Sequence, residues 1–204
     1  MSFDQSVFIN CPFDNNYQVL LRPLIFSLLS FDLNPRISET ESSAHIRIEE
    51  IMRLIKTSKY SIHDISRKKA LKQGDIARFN MPYEMGLDIG CQKFGTGKLK
   101  EKKCLIFDSN RHEYDISCSD ISGQDIKAHN NDPETLIVKV REWFVRLLNR
   151  RLPSAASIWE NYTEFVTDMN EQLALEGFSR KEIASLSHSE FIILASNWIK
   201  ESRK

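Results

Sequence analysis

Asn10, Asp64 and Glu84 are the residues around which chemistry could be built, because each closes an apolar run or follows a helix-start signal. Asn10 ends the run Ser6-Val-Phe-Ile-Asn10 ahead of Cys11-Pro12, and Asp64 ends Lys59-Tyr-Ser-Ile-His-Asp64. Glu84 follows Asn80-Met-Pro-Tyr83, a capping residue with an early proline, which puts it in the first turn of a helix. The positive end of a helix favours an ionised carboxylate by roughly 0.3 to 1 kcal/mol. Such a glutamate facing a crevice is either a nucleophile or an electrostatic stabiliser. It is equally read as a plain helix-cap residue. His63, Asp64 and Tyr83 are candidates to supply a proton or a hydrogen bond nearby; a histidine within a strand also serves as a hydrogen-bonded core residue. Arg67 and Arg78 flank the same crevice and suit phosphates, favouring a nucleotide or dinucleotide over a free nucleoside.

These residues need a scaffold that brings their segments to one edge, and the hydrophobic pattern supplies it. The runs 6–10 and 59–64 read as the first and third strands, 35–38 as a short second, 103–108 as a fully buried fourth, and 125–129 as a short fifth. Asp14 or Asn15 caps a helical stretch to Phe31, with Pro23 marking either a kink or a start near Arg22. Ile48, Ile51, Met52 and Ile55 recur at helical spacing between Ala44 and Thr57, and Asp132-Pro133 opens a long helix to Arg150 with Leu136, Val140, Phe144 and Leu147 on one face. Strands alternating with helices predict an α/β fold with a mostly parallel, flavodoxin-like sheet of order 2-1-3-4-5. Ligands bind such sheets at the carboxyl ends of the strands where the order reverses, here between the first and third strands. That crevice is the rim which Asn10, Asp64 and Glu84 would share.

The pattern changes beyond Leu152-Pro153 to helices alone, with S-x-x-E starts at Ser157, Ser179 and Ser187. The expected division is an α/β domain over 1–152 and a helical extension over 153–204. Phe165, Met169, Leu173 and Phe191, Leu194, Trp198 form apolar stripes there, to be buried as core or shared in a homo-oligomer.

Composition sets the outer limits. The 204 residues carry 28 basic and 28 acidic side chains and 41% hydrophobic residues, which excludes a disordered chain and a small disulfide scaffold. Cys11, Cys91, Cys104 and Cys118 form no CxxC pair, so neither a zinc ribbon nor a thioredoxin-like motif is written; they read as reduced thiols of a cytoplasmic protein. No run approaches the ~18 apolar residues of a membrane span, and Met1 to Gln5 lacks signal-peptide character. The charge is uneven, with −4 over residues 1–50, +8 over 51–103 and −4 over 104–204. The basic excess, including Lys68, Lys69, Lys72 and the Lys98, Lys100, Lys102, Lys103 run, reads as a solvated face or as phosphate attraction. No nucleic-acid-binding motif accompanies it, and Gly95-Thr-Gly97 lacks the context of a phosphate loop, so no nucleic-acid partner is expected. Asp120, Asp125 and His129 are too sparse to specify a metal and read as turn residues. Neither metal nor cofactor is expected.

The segments Phe8-Ile-Asn-Cys-Pro-Phe-Asp14, Ile62-His-Asp-Ile-Ser66 and Asn80-Met-Pro-Tyr-Glu-Met-Gly86 resemble the nucleoside 2-deoxyribosyltransferase-like proteins and the related TIR-like domains. With Asp120-Ile-Ser-Gly-Gln-Asp-Ile-Lys-Ala-His129 they look closer still to a group of mostly uncharacterised bacterial proteins. The resemblance to the two enzyme families covers roughly residues 6 to 108 and is most specific at Glu84 and Gly86. It implies Glu84 as the carboxylate acting at the sugar C1′, with Asp64 near the base or sugar hydroxyls. Asn10, Phe13, Asp14, His63, Arg67, Arg78, Asn80 and Tyr83 are then the substrate-binding candidates. It further implies a nucleotide or NAD as substrate or signal, and a role as an effector in bacterial defence.

Overall fold

The computed structural model describes residues 2–38, 46–67, 79–111, 114, 118–121 and 123–203. Five parallel strands form one sheet in the order β2-β1-β3-β4-β5, a flavodoxin-like α/β arrangement. They are β1 (Ser6–Asn10), β2 (Asn34–Ile37), β3 (Tyr60–Asp64), β4 (Lys103–Asp108) and β5 (Lys127–Ala128). Every residue of β1 and β3 is buried, which is why both read as short continuous apolar runs rather than alternating ones. Pro35 is tolerated in β2 because that strand lies at the sheet edge, where a missing N–H need not break an inner ladder. In register Asn10 lies opposite His63, Asp64 opposite Phe107 and Asp108 opposite Ala128, so polar residues close the strands along one edge of the sheet.

The chain divides into two compact units, residues 1–18 with 33–132 and residues 19–32 with 133–204. The first holds the sheet with helices α2 (Arg47–Thr57) and α3 (Asn80–Phe94). Ile51, Leu54 and Ile55 of α2 cluster with Phe8, Leu87 and Cys91, whereas Met52, expected on the same face, is exposed. Ile46 keeps extended backbone, so α2 begins at Arg47 rather than near Ala44.

The second unit consists of α1 (Gln18–Ser30, of which Gln18 belongs to the first), α4 (Pro133–Leu148), α5 (Ala155–Leu175), α6 (Arg180–Ala184) and α7 (His188–Ser202). Asp14 caps a 3-10 turn at 15–17 that leads into α1, and Pro23 lies inside that helix, which starts well before Arg22. The expected boundary at residue 152 falls within this unit. Phe26 of α1 stacks on Phe165 at 5.5 Å, Phe165 meets Phe191 edge-on at 5.5 Å, and Met169 and Leu173 are buried, so these stripes are core of the helical unit. Ser179 and Glu182 form a full capping box, and Ser187 caps α7. Ser157 does not begin a helix: Ser154 caps α5 and accepts the Ser157 N–H. Among the described residues no helix is long and apolar enough to cross a membrane.

Candidate functional site

Asn10 ties three elements together at the carboxyl edge of the sheet. Its buried amide nitrogen donates to the Met81 carbonyl at 2.9 Å, which leaves its second N–H for Nδ1 of His63, also at 2.9 Å. His63 is wholly buried, so the structure places it below the rim with Nδ1 taken by Asn10 and Nε2 by Asp88 at 3.0 Å. Burial opposes a charge on this ring, but the Cys104 thiol and the Asp88 carboxylate outweigh it and raise its pKa.

Asp64, at the end of β3, is 1% exposed and fully engaged. The Ser66 N–H donates to Oδ1 at 2.8 Å and the Tyr17 hydroxyl donates to Oδ2. His129 Nε2 lies 3.0 Å from Oδ2, an ion-pair distance without the alignment of a hydrogen bond, while its Nδ1 accepts the Asn131 N–H at 2.9 Å. Burial alone would raise the Asp64 pKa, but His129, Ser66 and Tyr17 hold it below the ordinary carboxylate range. The same burial, with the Asp64 charge, pushes the Tyr17 phenol well up. Asp64 is thus an anchor that joins β3 to residue 17 and to His129.

Glu84 differs. It is only 6% exposed, yet no hydrogen-bond donor meets its carboxylate among the described residues. Burial raises its pKa, and the charges of Arg47 and His63 offset this only in part. This corrects the expectation of a first-turn carboxylate held ionised by the helix end: α3 starts at Asn80 with Phe79 as its N-cap, so Asn80 is no cap and Glu84 lies in the second turn. The dipole effect fades within one turn. Directly after β1, the buried Cys11 thiol is driven far up, first by desolvation and then by Asp64, Glu84 and Asp14. The charges of all three candidate carboxylates are thus felt at one thiol.

Charged and aromatic side chains lie on the neighbouring segments. The Arg47 guanidinium, from the first residue of α2, lies 5.7 Å from the Phe13 ring centroid, and Arg67 Nη2 is 3.3 Å from Asp14 Oδ1. Asn80 and Tyr83 are exposed on α3, Tyr83 by 59%. Arg78 lies outside the described residues, as do Lys68, Lys69 and Lys72.

One turn after Glu84, Asp88 lies in a buried charge cluster. Ser61 donates to its Oδ2, which also lies 3.0 Å from His63 Nε2, and Lys102 Nζ is 3.0 Å from Oδ1. Lys102 is itself 2% exposed and donates to the carbonyls of Ile55 at 2.8 Å and Ser58 at 2.5 Å. Ligand atoms of His63, Asp88 and Cys104 lie within 4.8 Å of one another, but the donor set does not fit a metal. The Lys102 ammonium already supplies the positive charge beside Asp88, and Ser61 and His63 occupy the other carboxylate oxygen. Asp125 pairs with Lys127 at 2.6 Å and His129 faces Asp64, so these two do not converge as ligands.

Sequence reasoning missed Cys11, Tyr17, Arg47, Asp88 and the burial of Lys102. Asp88 carried a signal, since it repeats the Glu84 position one helical turn later. Arg47 stood among the polar residues of an amphipathic helix, and Lys102 within a run of lysines, where neither residue type nor spacing sets it apart. In comparison with known proteins, the chain matches no family model and no curated relative.

Proposed function

We propose that the protein is an N-glycosidic-bond hydrolase or transferase acting on a nucleotide or NAD, with Glu84 as the carboxylate at C1′. The observation that carries this reading is a buried glutamate that no donor meets among the described residues, beside Asn10 and Asp64, whose side chains are hydrogen-bonded. A carboxylate without hydrogen-bond donors keeps its lone pairs for an electrophile. In its ionised form Glu84 approaches C1′ as the C1′–N bond breaks, either bonding to C1′ or stabilising the cation until water or a second acceptor takes the sugar. Asp64 stays an anchor, because its oxygens already accept Ser66 and Tyr17. Arg47 and Arg67 are suited to the phosphates, with Phe13 offering an aromatic surface beside Arg47. A defence role rests on the sequence resemblance alone. The alternative is a catalytically silent module that binds the same nucleotide as a signal.

Incubation with NAD and a panel of nucleotides and nucleosides, with detection of free base, tests the proposal. Release by the native chain and its loss in a folded Glu84→Gln variant is the expected result, by at least the ~100-fold typical of removing a charged transition-state contact. Undiminished release by that variant overturns the role of Glu84. Binding without release by the native chain selects the sensor.

A further inference from the structure

The outer face of α3 is out of keeping with a helix that ends at solvent. Phe79, Tyr83, Gly86, Gly90 and Phe94 follow one another at spacings of four, three, four and four residues, a single stripe along the helix. The three rings are exposed by 63%, 59% and 89%. A Cβ on Gly86 would meet nothing within 4 Å, and one on Gly90 only the Phe94 ring at 3.9 Å. Among the described residues, neither glycine is therefore there to let another part of this chain approach. Each costs the helix about 1 kcal/mol relative to alanine, and exposed aromatic rings add nothing to a lone protomer. A face that combines these features is built for something outside the chain to come close.

We propose that this face packs against the same face of a second copy, with the two α3 helices antiparallel about a two-fold axis between Gly86 and Leu87. The stripe is self-complementary under that operation, as an isologous interface requires. Tyr83 of each protomer comes opposite Gly90 of the other, a ring over a position without a side chain. Phe79 comes opposite Phe94, closing the contact at both ends with an aromatic pair. Gly86, beside the axis, allows the backbones to approach at the centre. With their exposures, the three rings alone offer roughly 300 to 500 Å² per protomer, a large part of the ~800 Å² per partner of a standard interface. Tyr83, one residue from Glu84, would then face the second copy rather than a substrate.

Sedimentation of the full chain and photo-crosslinking test this together. The expected result is twice the chain mass at micromolar concentration, reduced to the single-chain mass by Gly86→Glu or Gly90→Glu. Glutamate is the better helix former, so these variants keep α3 and should melt no lower as protomers. A benzoyl-phenylalanine placed at Tyr83 should crosslink between chains, with the joined peptide containing Gly90. A native chain that stays at single mass, a glutamate variant that remains a dimer, or a crosslink mapping away from α3 overturns the proposal.

Discussion

Glu84 and Asp88 are two buried carboxylates on one helix, one turn apart, and their pKa values move in opposite directions. Asp88, 2% exposed, would be raised by burial, but His63, Lys102 and Ser61 bring it down to about 2. Glu84, 6% exposed, is raised, because the charges that reach it are too few to offset its desolvation. Burial opposes the charge on both, and only at Asp88 do partners outweigh it. The Asp88 cluster spends its polar capacity on itself, linking β3, α3 and the residues that follow α2 through Lys102. Glu84 retains its capacity, which is the condition for acting on a ligand.

The comparison is broken most severely through Asp88. Asp88→Asn leaves the Lys102 ammonium buried without its counter-charge and should cost about 3 to 5 kcal/mol of stability, read by urea unfolding at neutral pH. Glu84→Gln removes an unpartnered buried charge and should cost nothing or stabilise. Equal losses in the two variants would make Glu84 a structural residue like Asp88.

Acid separates the two carboxylates by a smaller amount. Asp88 is depressed from an unfolded value of 3.8, so its contribution is complete above that pH and is lost as pH falls toward about 2, amounting to roughly 2 kcal/mol. Glu84 has the opposite sign. Its folded pKa lies above 4.5, so it lowers stability at neutral pH, and the penalty is relieved as pH falls through the folded value to 4.5. The stability gain of Glu84→Gln over the native chain should therefore be present at neutral pH and vanish below 4.5, as measured by unfolding across that range. A gain independent of pH would show that the charge is not its source.

The smallest expected effect is at Arg47, an exposed residue whose charge is screened by solvent. Arg47→Ala should raise the Glu84 carboxyl pKa further and Arg47→Lys should restore it, followed by carbon NMR of labelled glutamate with Glu84→Gln as the assignment control. An unmoved titration would leave His63 as the only charge among the described residues opposing desolvation at Glu84.

Much of the scaffold was legible because its signals are local. Buried parallel strands must be short apolar runs, and those at 6–10, 59–64 and 103–108 end where the polar residues Asn10, Asp64 and Asp108 end them. The site was legible only as a place. Asn10 and Asp64 do close their strands at one edge of the sheet, yet both are locked by Met81, His63, Ser66 and Tyr17, partners 2 to 71 residues away in sequence.

What the sequence determined by itself was the order and character of the elements: strand by strand, the alternation that dictates a 2-1-3-4-5 sheet, and hence the edge at which the polar strand ends meet. Which of those polar groups is satisfied and which is left free was decided by the tertiary structure alone. Lys100, Lys102 and Lys103 look alike in sequence, but only Lys102 is turned inward, to neutralise Asp88 beneath α3. Hydrogen-bond satisfaction and desolvation depend on atoms brought within about 3 Å by folding, and no spacing along a chain encodes that distance.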